Sequence, residues 1–247
     1  MCPGEHMKDA DGYYSIEDFV NKLHTLSFDS IQRDWLCTRT GRGDLVYQNE
    51  YDDATHLVNV PLAFDKGVCL SLDWGGTDPF SAGIWQPAPD GMGVDSWVRV
   101  TELYLSSVGQ SATNPRFIKM AKEKPWWDLV RTVVYDNSRP DLIEEWKQAF
   151  AGKTVKFIPG DRTDVDAGIE ATKNALKPAL GNPKIFINRI CANFRREVGM
   201  YKVSQTTNKP VDKDNHTLDE TRYFVKAMLK RVETNYFSVI SRDVGPE

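Results

Sequence analysis

The sequence predicts a mixed α/β fold, a sheet flanked by helices, and three observations carry that expectation. Val68–Asp73, Phe80–Trp85 and Trp97–Leu105 are strand-like runs separated only by short turns and loops, which makes a meander. From residue 115 onward, helical and strand-like segments alternate, the pattern of crossover connections over a sheet. Two of the strand-like runs end in an aspartate followed by turn residues: Asp73 before Trp74-Gly75-Gly76, and Asp136 before Asn137-Ser138.

The chain has 247 residues, of which 40% are hydrophobic and 27% charged, ordinary usage that excludes collagen-like and wholly disordered classes. That length suits one large domain, or a compact domain with an extension. No run nears the roughly 18 apolar residues of a membrane span. The first residues lack the basic and apolar regions of a secretory signal. Cys2, Cys37, Cys69 and Cys191 are scattered without pairing intervals and read as reduced thiols of a cytosolic compartment. The formal net charge of −4 argues against a protein whose whole surface grips nucleic acid. It leaves room for a local basic groove around an acidic, cation-loaded centre.

Residues 1–60 read as a leader or linker packed on a main domain of residues 61–247, and their abrupt start reads as that of a fragment. Within them, Gly12–Leu26 holds a short helix with Ser15 as N-cap and Ile16, Phe19, Val20 and Leu23 at helical spacing. After the meander, Pro115–Lys124 is a basic helix with Phe117, Ile118, Met120 and Ala121 inward, and Arg131–Tyr135 is a β-branched strand. Pro140 sits in the first turn of a helix, where its missing N–H is not needed, with Leu142, Ile143, Trp146 and Phe150 inward. Thr154–Ile158 and Lys184–Ile187 are short strands, and Asp164–Leu176, Asn188–Gly199 and His216–Val232 are helices.

Sites in α/β sheets form just beyond the carboxyl ends of strands, so Asp73 and Asp136 converge if their strands are neighbours. Taken singly, either acid is equally well explained as a turn cap. The last helix adds a third element. His216 and Asp219 are three residues apart and share a face beside the apolar stripe Leu218, Val225, Met228, Leu229 and Val232. Asp214 or Asn215 stands at its N-cap, where acids are favoured in any case. Carboxylates converging from separate elements with one imidazole suit hard divalent cations, Mg²⁺ or Mn²⁺. Two such ions activate a water and stabilise the leaving oxygen of a phosphodiester, and they relieve the repulsion among the acids.

Leu72-Asp73-Trp74-Gly75-Gly76-Thr77-Asp78, Val134-Tyr135-Asp136 and, most specifically, Asn215-His216-Thr217-Leu218-Asp219-Glu220-Thr221-Arg222-Tyr223 resemble the nuclease domain of tailed-phage large terminases. Arg195-Arg196-Glu197 through Tyr201 to Lys209-Pro210-Val211, and the stretch Phe28 to Cys37, share that resemblance, which covers roughly residues 25 to 235. The resemblance implies a ribonuclease H-like fold and a two-metal DNA endonuclease that cuts concatemeric viral DNA during genome packaging. By position, Asp73, Asp136 and Asp219 match the catalytic metal-binding acids, and His216 matches the histidine preceding the last of them. Asp214 falls near an extra acid of some members. Asn215 stands where many have aspartate, and Glu220 replaces a small residue.

The resemblance also implies double-stranded DNA, a terminase ATPase domain, portal and small terminase as partners, in the cytoplasm of an infected host and not as a virion component. No phosphate loop is present in this sequence: Gly152-Lys153-Thr154 imitates its end, but Lys147 stands where the first glycine belongs, so this chain is not expected to hydrolyse ATP. Cutting is expected to be nearly independent of sequence, since nothing resembles a base-reading module. The rival readings are another ribonuclease H-like nuclease of the junction-resolvase type, and a non-catalytic docking module that binds portal or DNA.

Weaker signals have simpler explanations. Cys2 to His6 holds only half of the ligands a zinc site needs. Asp78 lies close to Asp73 but fits turn chemistry. Arg189, Arg195, Arg196, Lys202, Lys209 and Lys213 bunch near the final motif and offer phosphate contacts, as do Lys119, Lys122 and Lys124, although solvated helix faces carry such charges routinely. Trp85 and Trp146 sit in core-like patterns.

Overall fold

A computed structural model describes residues 16–28, 30–31, 45–75, 79–93, 95–106 and 113–229. Strands β1 (Leu57–Val58), β2 (Val68–Asp73), β3 (Phe80–Pro87), β4 (Trp97–Leu105), β5 (Val130–Asp136), β6 (Lys156–Gly160) and β7 (Ile185–Asn188) form one seven-stranded sheet. Their spatial order is β1-β7-β4-β3-β2-β5-β6. The expected meander is there: β2, β3 and β4 pair antiparallel. The chain then passes to the far side of β2, where β5 runs parallel to it and β6 parallel to β5. Returning, β7 pairs parallel with β4, and β1 with β7. The mixed α/β sheet is as the sequence predicts.

The fold also contains helices α1 (Ile16–Thr25), α2 (Asp53–His56), α3 (Asn114–Lys122), α4 (Pro140–Ala149), α5 (Val165–Leu176), α6 (Ala192–Val198) and α7 (His216–Met228), and a short 3₁₀ turn at Trp127–Leu129. The period-two alternation of each strand divides the core. Leu70, Leu72, Ile84 and Val133 face one side, where they pack with Phe117 and Ile118 of α3 and Ile143 and Trp146 of α4. Cys69, Trp85 and Val134 face the other side, with Ile169 of α5, Phe194 of α6 and Leu218 and Phe224 of α7. Asp73 and Asp136 fall in phase with Cys69 and Val134, so both carboxylates belong to the α7 face.

Several boundaries move for local reasons. The strand expected from Thr154 begins at Lys156, because Gly152 takes a left-handed turn at φ 82° after α4 and the Lys153 amide donates to the Phe150 carbonyl. The helix expected from Asn188 begins at Ala192. Asn188 ends β7 instead, its side-chain oxygen accepting from the Ile190 amide at 3.3 Å and its amide donating to the Val60 carbonyl at 2.5 Å. Met120 is only half-buried, while Asn114 takes a place in the core of that helix. Asp164 caps α5 through the Ala167 amide at 2.8 Å.

Within the segment read as a leader, residues 45–58 supply the edge strand β1 and the buried side chains Val46, Tyr47 and Leu57. Gly12–Ser15, Cys2, His6, Cys37, Asp78, Val232 and most of the Phe28-to-Cys37 stretch lie outside the described residues. Cys69 and Cys191 are free and buried. Among the described residues, no helix is long and apolar enough to cross a membrane.

Trp85 and Trp146 are core residues, both fully buried. The Trp146 indole N–H donates to Asn114 Oδ1 at 2.8 Å, tying α4 to α3. Trp146→Ala therefore removes a large buried ring and one polar partner. It is expected to lower the unfolding free energy by about 3–5 kcal/mol, read from urea denaturation; a loss below about 1 kcal/mol would contradict this packing.

Candidate metal centre

Asp73 and Asp136 end adjacent parallel strands, with Leu72 opposite Tyr135 one residue earlier. Each is buried, at 7% and 5% exposure. The residue after Asp73 locks the two strand ends together: the Trp74 indole N–H donates to the backbone carbonyl of Asp136. The Asp136 carboxylate accepts from the Ser138 amide and hydroxyl, both at 2.8 Å, the local turn bonding anticipated for an aspartate in this position. Its Oδ1 also lies 3.2 Å from Arg162 Nε, a side chain arriving from the loop after β6.

Helix α7 brings the remaining donors over the same face. His216 Nδ1 is 3.1 Å from Asp73 Oδ2. One turn on, Asp219 Oδ2 accepts from the Asn215 side-chain Nδ2 at 3.3 Å, and Oδ1 lies 3.0 Å from Arg222 Nη1 without the alignment of a hydrogen bond. Burial pushes the Asp73 carboxyl above the usual carboxylate range; His216 opposes this and Asp136 reinforces it. Burial likewise pushes Asp219 up to about 7, against the pull of Arg222 and with the repulsion of Asp73 and Asp212. Burial of this kind disfavours the charged form of a carboxyl, and the protein's own groups do not fully offset it here.

Asp73, Asp136, Asp219 and His216 are thus brought to one edge. Asp214 is not drawn in with them in the same way: it occupies the turn before α7, with left-handed backbone at φ 52°. Asp212, which no sequence pattern singles out, stands nearer to Asp219 in effect, joined to it through Asn215, whose amide also donates to Asp212 Oδ1 at 3.3 Å. Among the described residues, no three His, Cys, Asp or Glu side chains stand together as a formed metal site. The donor chemistry nevertheless fits a hard divalent cation, with three carboxylates, one imidazole and a buried Asp219 oxygen lacking a donor.

The placement of α7 rests on two groups the sequence did not disclose. Asn215 holds the N-cap position but makes no capping bond with its side chain. The cap comes instead from Glu197 of α6, fully buried, whose Oε2 accepts from the Thr217 amide and hydroxyl at 2.7 Å each. Glu197 Oε1 accepts from Tyr104 at 2.8 Å and Arg196 at 3.2 Å. The second group is Glu220, which reaches the middle of the sheet. There it pairs with Arg99 of β4 and accepts from Ser71 of β2. Neither member of the Arg99–Glu220 pair has any exposed side chain. Arg99 lies between the rings of Trp85 and Phe194, at 5.7 and 5.4 Å, and donates to Thr221 at 3.2 Å and Glu102 at 3.3 Å. Gly83 leaves room for the pair, since a Cβ there would stand 2.6 Å from each partner.

Of the basic cluster, Arg195 is paired with Asp53 at 3.5 Å, and Arg196 contacts Tyr104 and Glu197 at 3.2 Å each. Arg189, Lys202, Lys209, Lys213, Lys119, Lys122 and Lys124 are exposed. Lys153, of the phosphate-loop look-alike, pairs with Asp128 at 2.5 Å and lies over Trp127 at 5.1 Å.

A mixed sheet with buried acids at the carboxyl ends of its adjacent parallel strands and a helix crossing above them defines a mixed α/β domain with an acidic edge. Comparison with solved structures gives the particular fold. The large terminase of a thermophilic bacteriophage, in complex with ADP, superposes with a TM-score of 0.67 at 23% identity over 87% of this chain and 52% of that one. Another crystal form of the same terminase gives 0.61 at 25% identity over 75% and 44%. The nuclease domain of the P22 large terminase gives 0.58 at 16% identity, covering 77% of this chain and 94% of that domain. The chain therefore spans about half the length of the thermophilic phage terminase and nearly the whole of the P22 nuclease domain. Its fold is the ribonuclease H-like fold of large-terminase nuclease domains. No family model and no curated protein matches the sequence.

Glu220→Ala would leave Arg99 charged, buried and without its main partner. The expected cost is about 3–5 kcal/mol in urea denaturation, with much of it recovered in the double variant Arg99→Met/Glu220→Leu. Glu197→Ala removes the cap of α7 and is expected to cost about 1–3 kcal/mol; a helix start that stays equally protected in amide hydrogen exchange would speak against that cap.

Proposed function

We propose that the chain is the nuclease part of a phage DNA-packaging large terminase, a metal-dependent endonuclease that cuts concatemeric viral DNA. The observation that carries this reading is the meeting of Asp73 and Asp136, at the ends of adjacent parallel strands, with His216 and Asp219 of α7 over the same face. Fold likeness to terminase nuclease domains supports it.

Two divalent cations, Mg²⁺ or Mn²⁺, are the group this donor set suits. Asp73, Asp136 and Asp219 would hold such ions, with His216 assisting through its contact with Asp73. When bound, such ions supply an activated water and charge stabilisation for phosphodiester hydrolysis. The rest of the work belongs to the protein. His216 orients the Asp73 carboxylate, Trp74 and Ser138 fix Asp136, and Asn215 and Arg222 flank Asp219. Burial of the acids keeps bulk water from competing for them.

Double-stranded DNA is the substrate in this reading, cut with little sequence preference. Residues 1–60 then follow an ATPase domain in a longer polypeptide that acts with portal and small terminase in the infected host cytoplasm. Asp214 remains a candidate ligand beside Asp212.

Supercoiled plasmid incubated with the purified chain in Mn²⁺, Mg²⁺ or EDTA tests the reading. Nicking and linearisation are expected with metal and not with EDTA. Asp136→Ala is expected to lose more than the roughly 10–100-fold typical of removing a mere support behind a ligand. Intact plasmid, with no thermal shift on adding Mn²⁺, would instead favour a docking module without chemistry. Four-way junctions cut far faster than linear duplex would move the chain to the resolvase class.

A further inference from the structure

Each acid at the edge has a basic partner of its own: His216 on Asp73 at 3.1 Å, Arg222 by Asp219 at 3.0 Å, and Arg162 on Asp136 at 3.2 Å. The three partners are not equivalent. Arg222 is 6% exposed, and its stem lies against Gly168 of α5. His216 is 17% exposed, whereas Arg162 is 46% exposed. Arg162 is the one partner with a broad solvent side.

Its backbone, in contrast, is pinned on both flanks. Gly160 pairs with Asp136 in the β5–β6 ladder beneath Tyr223, where a Cβ would meet the ring at 2.8 Å. Asp161 bonds Lys226 of α7, and it accepts from the Thr163 amide at 2.9 Å and hydroxyl at 2.7 Å. Asp164 then caps α5. A guanidinium on a fixed root, half in solvent, touches the one edge carboxylate that already has two other hydrogen bonds, both from Ser138. Asp136 does not need Arg162 to be satisfied.

We propose that Arg162 is a phosphate-binding residue of this site, and that it holds the Asp136 carboxylate only while no metal cation does. A divalent cation on Asp136 repels the neighbouring guanidinium, which is free on its solvent side to turn outward. Its planar fork would then be turned toward a phosphate of the DNA backbone beside Asp136. This rests on the nuclease reading.

The test uses the full chain, with Arg162→Ala, Arg162→Lys and Asp136→Ala beside the parent. Mn²⁺ affinity without DNA is measured by calorimetry, and binding of a short duplex by anisotropy in Ca²⁺ across a salt series. Arg162→Ala is expected to bind Mn²⁺ several-fold more tightly and duplex more weakly, alike for different sequences, with the salt slope reduced by about one phosphate contact. Arg162→Lys is expected to stay near the parent in Mn²⁺ affinity and between the two in duplex binding. Unchanged or weaker Mn²⁺ binding by Arg162→Ala, or unchanged duplex binding, overturns the proposal while leaving the site reading intact, provided the parent binds Mn²⁺ and Asp136→Ala does not. A parent that binds no Mn²⁺ overturns both.

Discussion

Helix α7 carries His216 and Asp219 to the edge of the sheet, yet the side it buries includes Glu220, Thr221 and Arg222, groups that apolar contact alone cannot hold out of water. The seating of this helix is therefore a matter of hydrogen bonding as much as of packing. Glu197 fastens its first turn, and the Arg99–Glu220 pair fastens the next residue along from Asp219 to the centre of the sheet. Phe224 adds an apolar lock, its ring stacked on Trp85 with centroids 4.1 Å apart. Rotation of α7 about its axis would strand a buried charge. The direction in which Asp219 points is thus set from beneath the helix.

The strand side of the edge is built from simpler means. Alternation along β2 and β5 sends Asp73 and Asp136 to one face, and parallel pairing brings their ends level. Trp74, buried at 9% exposure, ties one strand end to the other through its indole N–H. Burial then raises the cost of keeping Asp73 and Asp219 ionised, a cost that a bound cation would offset.

What was legible in the sequence was what depends on near neighbours. A buried apolar run and a β-branched run, each ending in an acid, gave β2 and β5, and the three-residue spacing of His216 and Asp219 gave one face of α7. Pro140 in a first turn is equally local. What was hidden depends on partners far apart in the chain. Glu197 looks like a surface acid of a charged helix until Thr217, 20 residues later, is brought to it. Glu220 had no evident role, because Arg99 lies 121 residues away. Arg162 follows a strand whose neighbour could not be known without the sheet order. Asp214 or Asn215 was given a capping role by position; Asn215 holds the position, but an acceptor from another helix makes the capping bond. The apolar stripe of α7 held at Leu218 and Val225, but Met228 and Leu229, at the end of the helix, are only partly buried.

The sheet itself ends abruptly on both sides. On one flank β1 is two residues long; on the other, β6 carries Lys156 and Pro159, a charge and a residue without an amide proton. Neither border offers a continuous row of free backbone groups for another chain to extend. Molecules of this kind crowded together have no ready route to zip into a common ribbon. Whatever docks on the domain must do so through side chains of its faces and loops, where recognition is chosen residue by residue.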